Sequence, residues 1–264
     1  MSALSFFLSP ADFLTRMCMR SRVLLLALVA ATALGTDLYA QDDQDKRPLE
    51  IADYQLWRTI SESKISADGR WAAWTYSREQ FDKTVHIKSL VGNAEYISSP
   101  AMGVQLSDDG QWAAYFIEPP FSEAEKLRRD GEDVLREAEL INLESGEKIK
   151  WGDVTSFKFS SGSSHFFVKK RQVDEGPDHD GTDLILRNLE EGYEELIASV
   201  NEAEFSEAGT LFAFTVDAEN RDGNGFYYVN LNTGVRRPLD NAKQRYSRLT
   251  WSENGLGIAV LKGE

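Results

Sequence analysis

Apolar and polar positions alternate along this chain in short bursts, each interrupted by the same kind of turn. Ile65-Ser66-Ala67-Asp68-Gly69-Arg70-Trp71-Ala72-Ala73-Trp74 passes from an apolar residue into a Ser, through an acidic turn closed by Gly, and out into alternating aromatic and small residues. That order predicts two antiparallel strands joined by a tight hairpin, because Gly accepts the positive φ that ends such turns. Leu106-Ser107-Asp108-Asp109-Gly110-Gln111-Trp112-Ala113-Ala114-Tyr115 repeats it closely, and looser copies begin at Phe159-Ser160, Phe205-Ser206 and Trp251-Ser252.

The Ser of each copy falls at 66, 107, 160, 206 and 252, at spacings of 41, 53, 46 and 46 residues. Periods of this size fit a four-stranded propeller blade. Each unit then holds a strand into the Ser, a second strand after the Gly turn, and two more strands divided by another turn. In the fourth unit these are the strand ending at Phe205, Leu211 to Val216, Phe226 to Leu231 and Val235 to Leu239, with Asn232-Thr233-Gly234 as the later turn and Glu144-Ser145-Gly146 as its counterpart in the second unit. The expected fold is all-β, a β-propeller of four-stranded blades with about five units, the last incomplete. A β-sandwich gives no reason for the period, and β-solenoid repeats are shorter. Ala72-Ala73 and Ala113-Ala114 fit close approach of neighbouring blades, with Trp71, Trp74, Trp112 and Tyr115 filling the spaces between them.

One interval is long. Pro119-Pro120 closes the second strand of unit two, and Ser122-Glu123-Ala124-Glu125 reads as a capping box opening a helical insertion near 121–140, with Ala124, Leu127, Val134 or Leu135 and Ala138 on one face and Gly131 weakening its middle. Excursions from a propeller rim are where partner or lid contacts are added; the plainer alternative is a solvated connector. Before the repeat, Leu49, Ala52, Leu56 and Ile60 have roughly helical spacing and predict a short amphipathic segment docked on the first sheet. The fifth unit supplies two strands before Glu264, so the reading is a propeller over residues 49–264 that continues beyond this chain, since an open sheet edge is avoided.

Charge and composition narrow the setting. Arg16, Arg20 and Arg22 precede an apolar run from Val23 to Leu34, with Ala40 offering a cleavage position, which predicts a signal peptide over residues 1–40 followed by a flexible arm over 41–48. The apolar run is shorter than the ~20 residues that span a bilayer, so no stable membrane insertion is expected after cleavage. The only cysteine, Cys18, lies in that leader, leaving neither disulfides nor a thiol nucleophile in an oxidising compartment. Losing the leader leaves 26 basic against 41 acidic residues, a formal charge of −15, which repels phosphate backbones and argues against nucleic acid as a partner. Fourteen Phe, nine Tyr and six Trp argue against disorder.

No reaction centre stands out. G-x-S-x-G is absent, and His86, His165 and His179 lack the spacing of a helical metal pair. His165 follows Ser163 and Ser164, yet adjacency in a turn is not triad geometry. Asp178, Asp180 and Asp183 in the acidic stretch 174–183 lack an EF-hand pattern, and that stretch, like Asp217 to Gly225, reads as a solvated hairpin loop. Glu190, Glu191, Glu194 and Glu195 flank Gly192 as exposed charge, and Lys169-Lys170-Arg171 is too brief for a nucleic-acid patch. No catalytic, cofactor-binding or metal residue is assigned, and no cofactor is expected.

The lead-in Ile51-Ala52-Asp53-Tyr54-Gln55-Leu56-Trp57, the Ile65 to Trp74 hairpin, the charged segment from Ser122, Leu140 to Glu147 and Val154 to Phe159 together resemble the start of secreted bacterial peptidases of the prolyl oligopeptidase family. The likeness covers roughly residues 49 to 264. The Ser-x-Asp-Gly turn is shared with TolB-like propellers of the periplasm, and Ser160-Ser161-Gly162 departs from it by lacking the acid and one residue. The resemblance implies a periplasmic or extracellular, substrate-gating propeller whose partners are a C-terminal α/β-hydrolase domain with a Ser-Asp-His triad and peptide substrates. None of those triad positions has a match in this chain. The alternative is a free-standing TolB-like propeller acting as a periplasmic protein-binding module.

Overall fold

The computed structural model describes residues 48–263 apart from 55, 79, 173–178 and 256; the leader and nearly all of the arm lie outside them. The chain divides into two compact units, residues 1–54 and 55–264. Of the first, one helical turn is described, α1 (Ile51–Tyr54), where the Asp53 carboxylate accepts the Glu50 N–H at 2.8 Å. The helical spacing over Leu49 to Ile60 is realised only as this one turn, and Ile60 lies in the first strand. Leu49, Ala52 and Leu56 are exposed and Asp53 is the buried residue, because one turn closed by its own carboxylate presents no apolar stripe.

The second unit is a β-propeller. Blade 1 is β1 (Thr59–Ile65), β2 (Trp71–Ser77), β3 (Thr84–Ser89) and β4 (Glu95–Ser98), an antiparallel meander in that order. Blade 2 is β5 (Ala101–Leu106), β6 (Trp112–Ile117), β7 (Glu137–Asn142) and β8 (Lys148–Trp151), with α2 (Phe121–Asp130) inserted between its second and third strands. Blade 3 is β9 (Val154–Phe159), β10 (His165–Lys170), β11 (Thr182–Asn188) and the first half of β12 (Glu194–Phe205). The second half of β12 opens blade 4, with β13 (Leu211–Val216), β14 (Gly225–Asn230) and β15 (Val235–Asn241). β16 (Arg245–Trp251) and β17 (Ile258–Gly263) start a fifth.

The repeated Ser has a physical reason. Ser66 Oγ accepts the Trp71 N–H at 2.9 Å and donates to Asp68 Oδ1 at 2.5 Å, while Asp68 Oδ1 also accepts the Arg70 N–H at 3.0 Å. Ser107 does the same with Trp112 and Asp109. Ser160, Ser206 and Ser252 each accept the N–H five residues on, and Ser164 or Asn254 takes the place of the acid at two of them. A hydroxyl, buried in the first four copies and exposed at Ser252, thus satisfies backbone polar groups that the turn takes away from the strand ladder. The turns also interlock from blade to blade. Asp108 Oδ2 accepts the Gly162 N–H at 3.0 Å, and Ser163 Oγ accepts the Asp109 N–H at 3.1 Å.

A second signature closes the outer hairpins. Asn142, Asn188 and Asn230 each accept two turn N–H groups through Oδ1, and Gly146, Gly192 and Gly234 return an N–H to the same residues' carbonyls. The Leu after each Asn is buried. In blade 1, Ser89 substitutes for the Asn through Oγ.

Strand periodicity sorts side chains between seams. Ala113 and Tyr115 of β6 face blade 1 with Trp71, Ala73, Val85 and Ile87; Trp112, Ala114 and Phe116 face blade 3 with Phe157, Phe166 and Val168. Phe212 and Phe214 join Phe167 and Phe205 in the third seam, whereas Ala213 turns toward Tyr246 in the fourth. The expected places of Trp71, Tyr115 and Trp112 hold. Trp74 does not share them: alternation sends it to the other side of β2, where it stacks on His86 at 5.3 Å with Tyr76 edge-on.

Two carboxylates tie inner strands across seams from equivalent places, four residues before Ser66 and Ser206. Glu62 accepts the Gly103 N–H at 3.0 Å, and Glu202 accepts those of Arg248 and Leu249 at 3.0 and 2.7 Å. Gly103 and Arg248 both have positive φ and sit in bulges that aim their N–H groups out of the ladder.

Candidate functional site

An antiparallel meander puts the Ser and Asn turns of every blade on one face, and the connections between second and third strands on the other. The turn face is regular. The loop face carries the irregular segments 80–83, 118–136 and 217–224, with 171–172 and 179–181, and therefore most of what distinguishes one blade from another.

The largest of these holds α2. Its start is set from a different blade: Asp82 Oδ1, in the β2–β3 loop, accepts the Phe121 N–H at 2.6 Å. The expected capping box does not form. Pro120 is the N-cap, no side chain of the helix caps it, and Ser122 lies inside the first turn. Gly131 is the C-cap in the left-handed conformation (φ 76°) rather than a weak middle, so the helix ends at Asp130. Ala138, expected on the helix face, lies in β7 with its side chain fully buried.

Between α2 and blade 1 lies a cleft of about 190 Å³. Its floor is the buried Ala101 and Ala124 with Met102; its walls include Phe81, Pro119 and Phe121; its mouth carries Lys83, Glu118 and Arg128. Drug-sized ligands use ~300–1,000 Å³, so this space takes one side chain of a larger ligand. Arg78 lies 3.8 Å from the centre of the Phe81 ring and holds that wall in place. A more open depression of about 370 Å³ lies on the turn face between the Ser66 and Ser107 turns and is walled by the hairpins themselves.

The other sequence candidates are dispersed. His165 is buried, its Nδ1 is 3.0 Å from Ser164 Oγ, and burial pushes its pKa down; among the described residues no carboxylate hydrogen-bonds it. His86 stacks on Trp74 and lies 3.6 Å from Glu95. Glu194 and Glu195 pair with Arg187 and Arg236 at 2.9 and 2.6 Å. Asp180 and Asp183 are exposed, while 174–178 lie outside the described residues. Lys169 is partly buried: burial pushes its pKa down against the charges of Glu202 and Asp180, and its ammonium donates to the Asn201 carbonyl. Among the described residues no group of three His, Cys, Asp or Glu is placed to hold a metal ion, and no helix is long and apolar enough to cross a membrane.

The stretch from Asp217 to Gly225 differs from its expected solvation. Asp217 is 1% exposed, accepts the Asp180 N–H at 2.9 Å and the Asn224 side-chain amide at 2.8 Å, and lies 3.7 Å from Arg245 Nε. Asn224 in turn accepts the Ala218 N–H at 2.7 Å and donates to Gln244 O at 3.2 Å. Polar loop residues here serve as the internal fastening of three segments rather than as a hydrated surface.

No family model and no curated protein matches this chain. Among solved structures, it is similar to the β-propeller domain of the trilobed protease from Pyrococcus furiosus, at 14% identity and TM-score 0.45 over 70% of this chain and 58% of that one. It is also similar to a prolyl endopeptidase, at 11% identity and TM-score 0.46 over 78% and 32%. TolB from Acinetobacter baumannii is similar at 13% identity and TM-score 0.37 over 76% and 48%. The chain thus spans less than two thirds of each.

Proposed function

We propose that this chain is the substrate-gating propeller portion of an exported serine peptidase of the prolyl oligopeptidase kind, working with an α/β-hydrolase domain that carries the catalytic triad. The observation that carries the reading is the loop face. Variable connections from successive blades gather there, and one of them, α2, is pinned across a seam by Asp82 and creates a recess sized for a single side chain. Such a face suits a gate: it holds an extended chain one residue at a time, and its rigid rim turns folded proteins away. In this reading the residues of the face provide positioning and exclusion, and the chemistry belongs to the hydrolase domain.

The experiment is expression of the full reading frame and treatment with a fluorophosphonate probe. Labelling of a serine outside residues 41–264, hydrolysis of short peptides but not of folded proteins, and a relaxed size limit on deleting 121–130 are expected. A reading frame without a G-x-S-x-G, with the product folding as a stable monomer, overturns the proposal in favour of a TolB-like binding module.

A further inference from the structure

We infer that the cleft beneath α2 is a subsite for an apolar side chain followed by a carboxylate, so that the peptides admitted at this face carry an acidic residue next to an aliphatic one. The inference rests on the reading of the loop face as the peptide-facing side and names the chemistry it selects. The floor of Ala101, Met102 and Ala124 offers no side-chain hydrogen-bond partner beyond a thioether, so what enters it is apolar. The volume of about 190 Å³ admits a Leu-sized group and excludes a whole small ligand.

The mouth sets the charge. Among the described residues neither Lys83 nor Arg128 forms an ion pair, and the Lys83 ammonium lies 3.9 Å from the Met102 sulfur. Two other cations of the loop face are paired, Arg171 with Asp133 and Arg245 with Asp180 at 3.6 Å. Of the two acids in the lining, Asp82 keeps its charge but directs it to the positive end of α2, where it accepts the Phe121 N–H. The Glu118 side chain is not held by any donor among the described residues, and its charge opposes a second carboxylate near it. A carboxylate one residue along from the buried side chain is therefore attracted by Lys83 and Arg128 and repelled by Glu118.

The test is fluorescence anisotropy of the chain with two fluorescein-tagged tetrapeptide amides, Ala-Leu-Glu-Ala and Ala-Leu-Gln-Ala. The Glu probe binds about threefold to tenfold more tightly than the Gln probe, as two mouth pairs of ordinary exposed strength imply. Lys83→Gln with Arg128→Gln removes that difference, Glu118→Gln enlarges it, and Ala124→Leu weakens both probes by filling the floor. Hydrogen-exchange protection of residues 81–83 and 118–128 in the unaltered chain locates the site without relying on a core substitution. Equal affinity for the two probes, a preference that survives the double variant, or no binding of either overturns the inference. These readouts need no hydrolase, so the subsite can stand where the peptidase reading fails, and fail where it stands.

Discussion

The Tyr115 hydroxyl donates to the Glu139 carboxylate inside the seam between blades 1 and 2, and Lys148 and Lys150 reach the same carboxylate from the rim at 2.7 and 3.0 Å. Burial pushes the Glu139 pKa up, but the hydrogen bonds from Lys148, Tyr115 and Lys150 outweigh it, and its pKa lies below the ordinary glutamate value. Tyr115 moves upward, through burial first and then through its bond to the Glu139 charge. A depressed carboxylate contributes stability that is present above its unfolded pKa of ~4.3 and lost as pH falls through the folded value. The raised phenol contributes below ~10 and loses its contribution as pH climbs through its folded value. Glu139→Gln should therefore cost about 1–3 kcal/mol at pH 7. Urea melts will show the gap to the parent protein closing as pH is lowered toward 3.

Two turn glycines at nearly the same φ should respond very differently to Ala. A Cβ on Gly69 (φ 69°) meets nothing within 4 Å, whereas one on Gly209 (φ 67°) would overlap the Ser161 carbonyl group of the preceding blade's turn. Gly69→Ala then carries only the left-handed cost of about 1–2 kcal/mol. Gly209→Ala adds a backbone clash and should lower the melting temperature by clearly more, which calorimetry of the two variants will read directly.

The start of α2 depends on a residue remote in sequence. Asp82→Ala should cost about 1 kcal/mol, the value of an N-terminal helix acceptor, and should raise amide exchange at 121–124. Ser122→Ala should leave exchange unchanged, because no Ser122 side-chain bond caps the helix.

Asp217 and Asp222 lie five residues apart and differ in burial. Asp217→Ala removes a carboxylate that is 1% exposed and leaves the Asp180 N–H and the Asn224 amide without their acceptor, for a loss of about 2–4 kcal/mol. Asp222→Ala breaks an ion pair to Lys243 at 2.5 Å whose two members are 70% and 77% exposed, and should stay within about 0.5 kcal/mol. Chemical denaturation of both variants distinguishes the two environments.

The blades were legible because their signals are local. Ser66, Asp68, Gly69 and Trp71 meet within one hairpin, so the turn and its copies carry the architecture in the order of the chain. The outer turns were only half legible: Gly146 and Gly234 mark them, but the acceptor role of Asn142 and Asn230 takes notice of Asn-Leu-x-x-Gly as a second repeat. What could not be read is what crosses seams. Asp82 and Phe121 belong to different blades, so a local capping box stood in for the true acceptor. The cleft draws on 81–83, 100–102 and 118–128, which nothing along the sequence joins. Asp217 and Asn224 look solvated in the sequence because only their polarity shows there, and a polar side chain with partners on other segments looks the same as one facing water.

β12 passes from the outer edge of blade 3 to the inner edge of blade 4 as one twelve-residue strand, bent at a bulge near Ser199 (φ 57°). Every other transition between blades interrupts the strand. Blades 3 and 4 consequently share a continuous hydrogen-bonded backbone across seven strands and open as a single cooperative unit, so slow exchange should spread through β9 to β15 together. Any breathing that widens the propeller is directed to the other seams, and the one between blades 1 and 2, where α2 and Asp82 sit, lies beside the cleft.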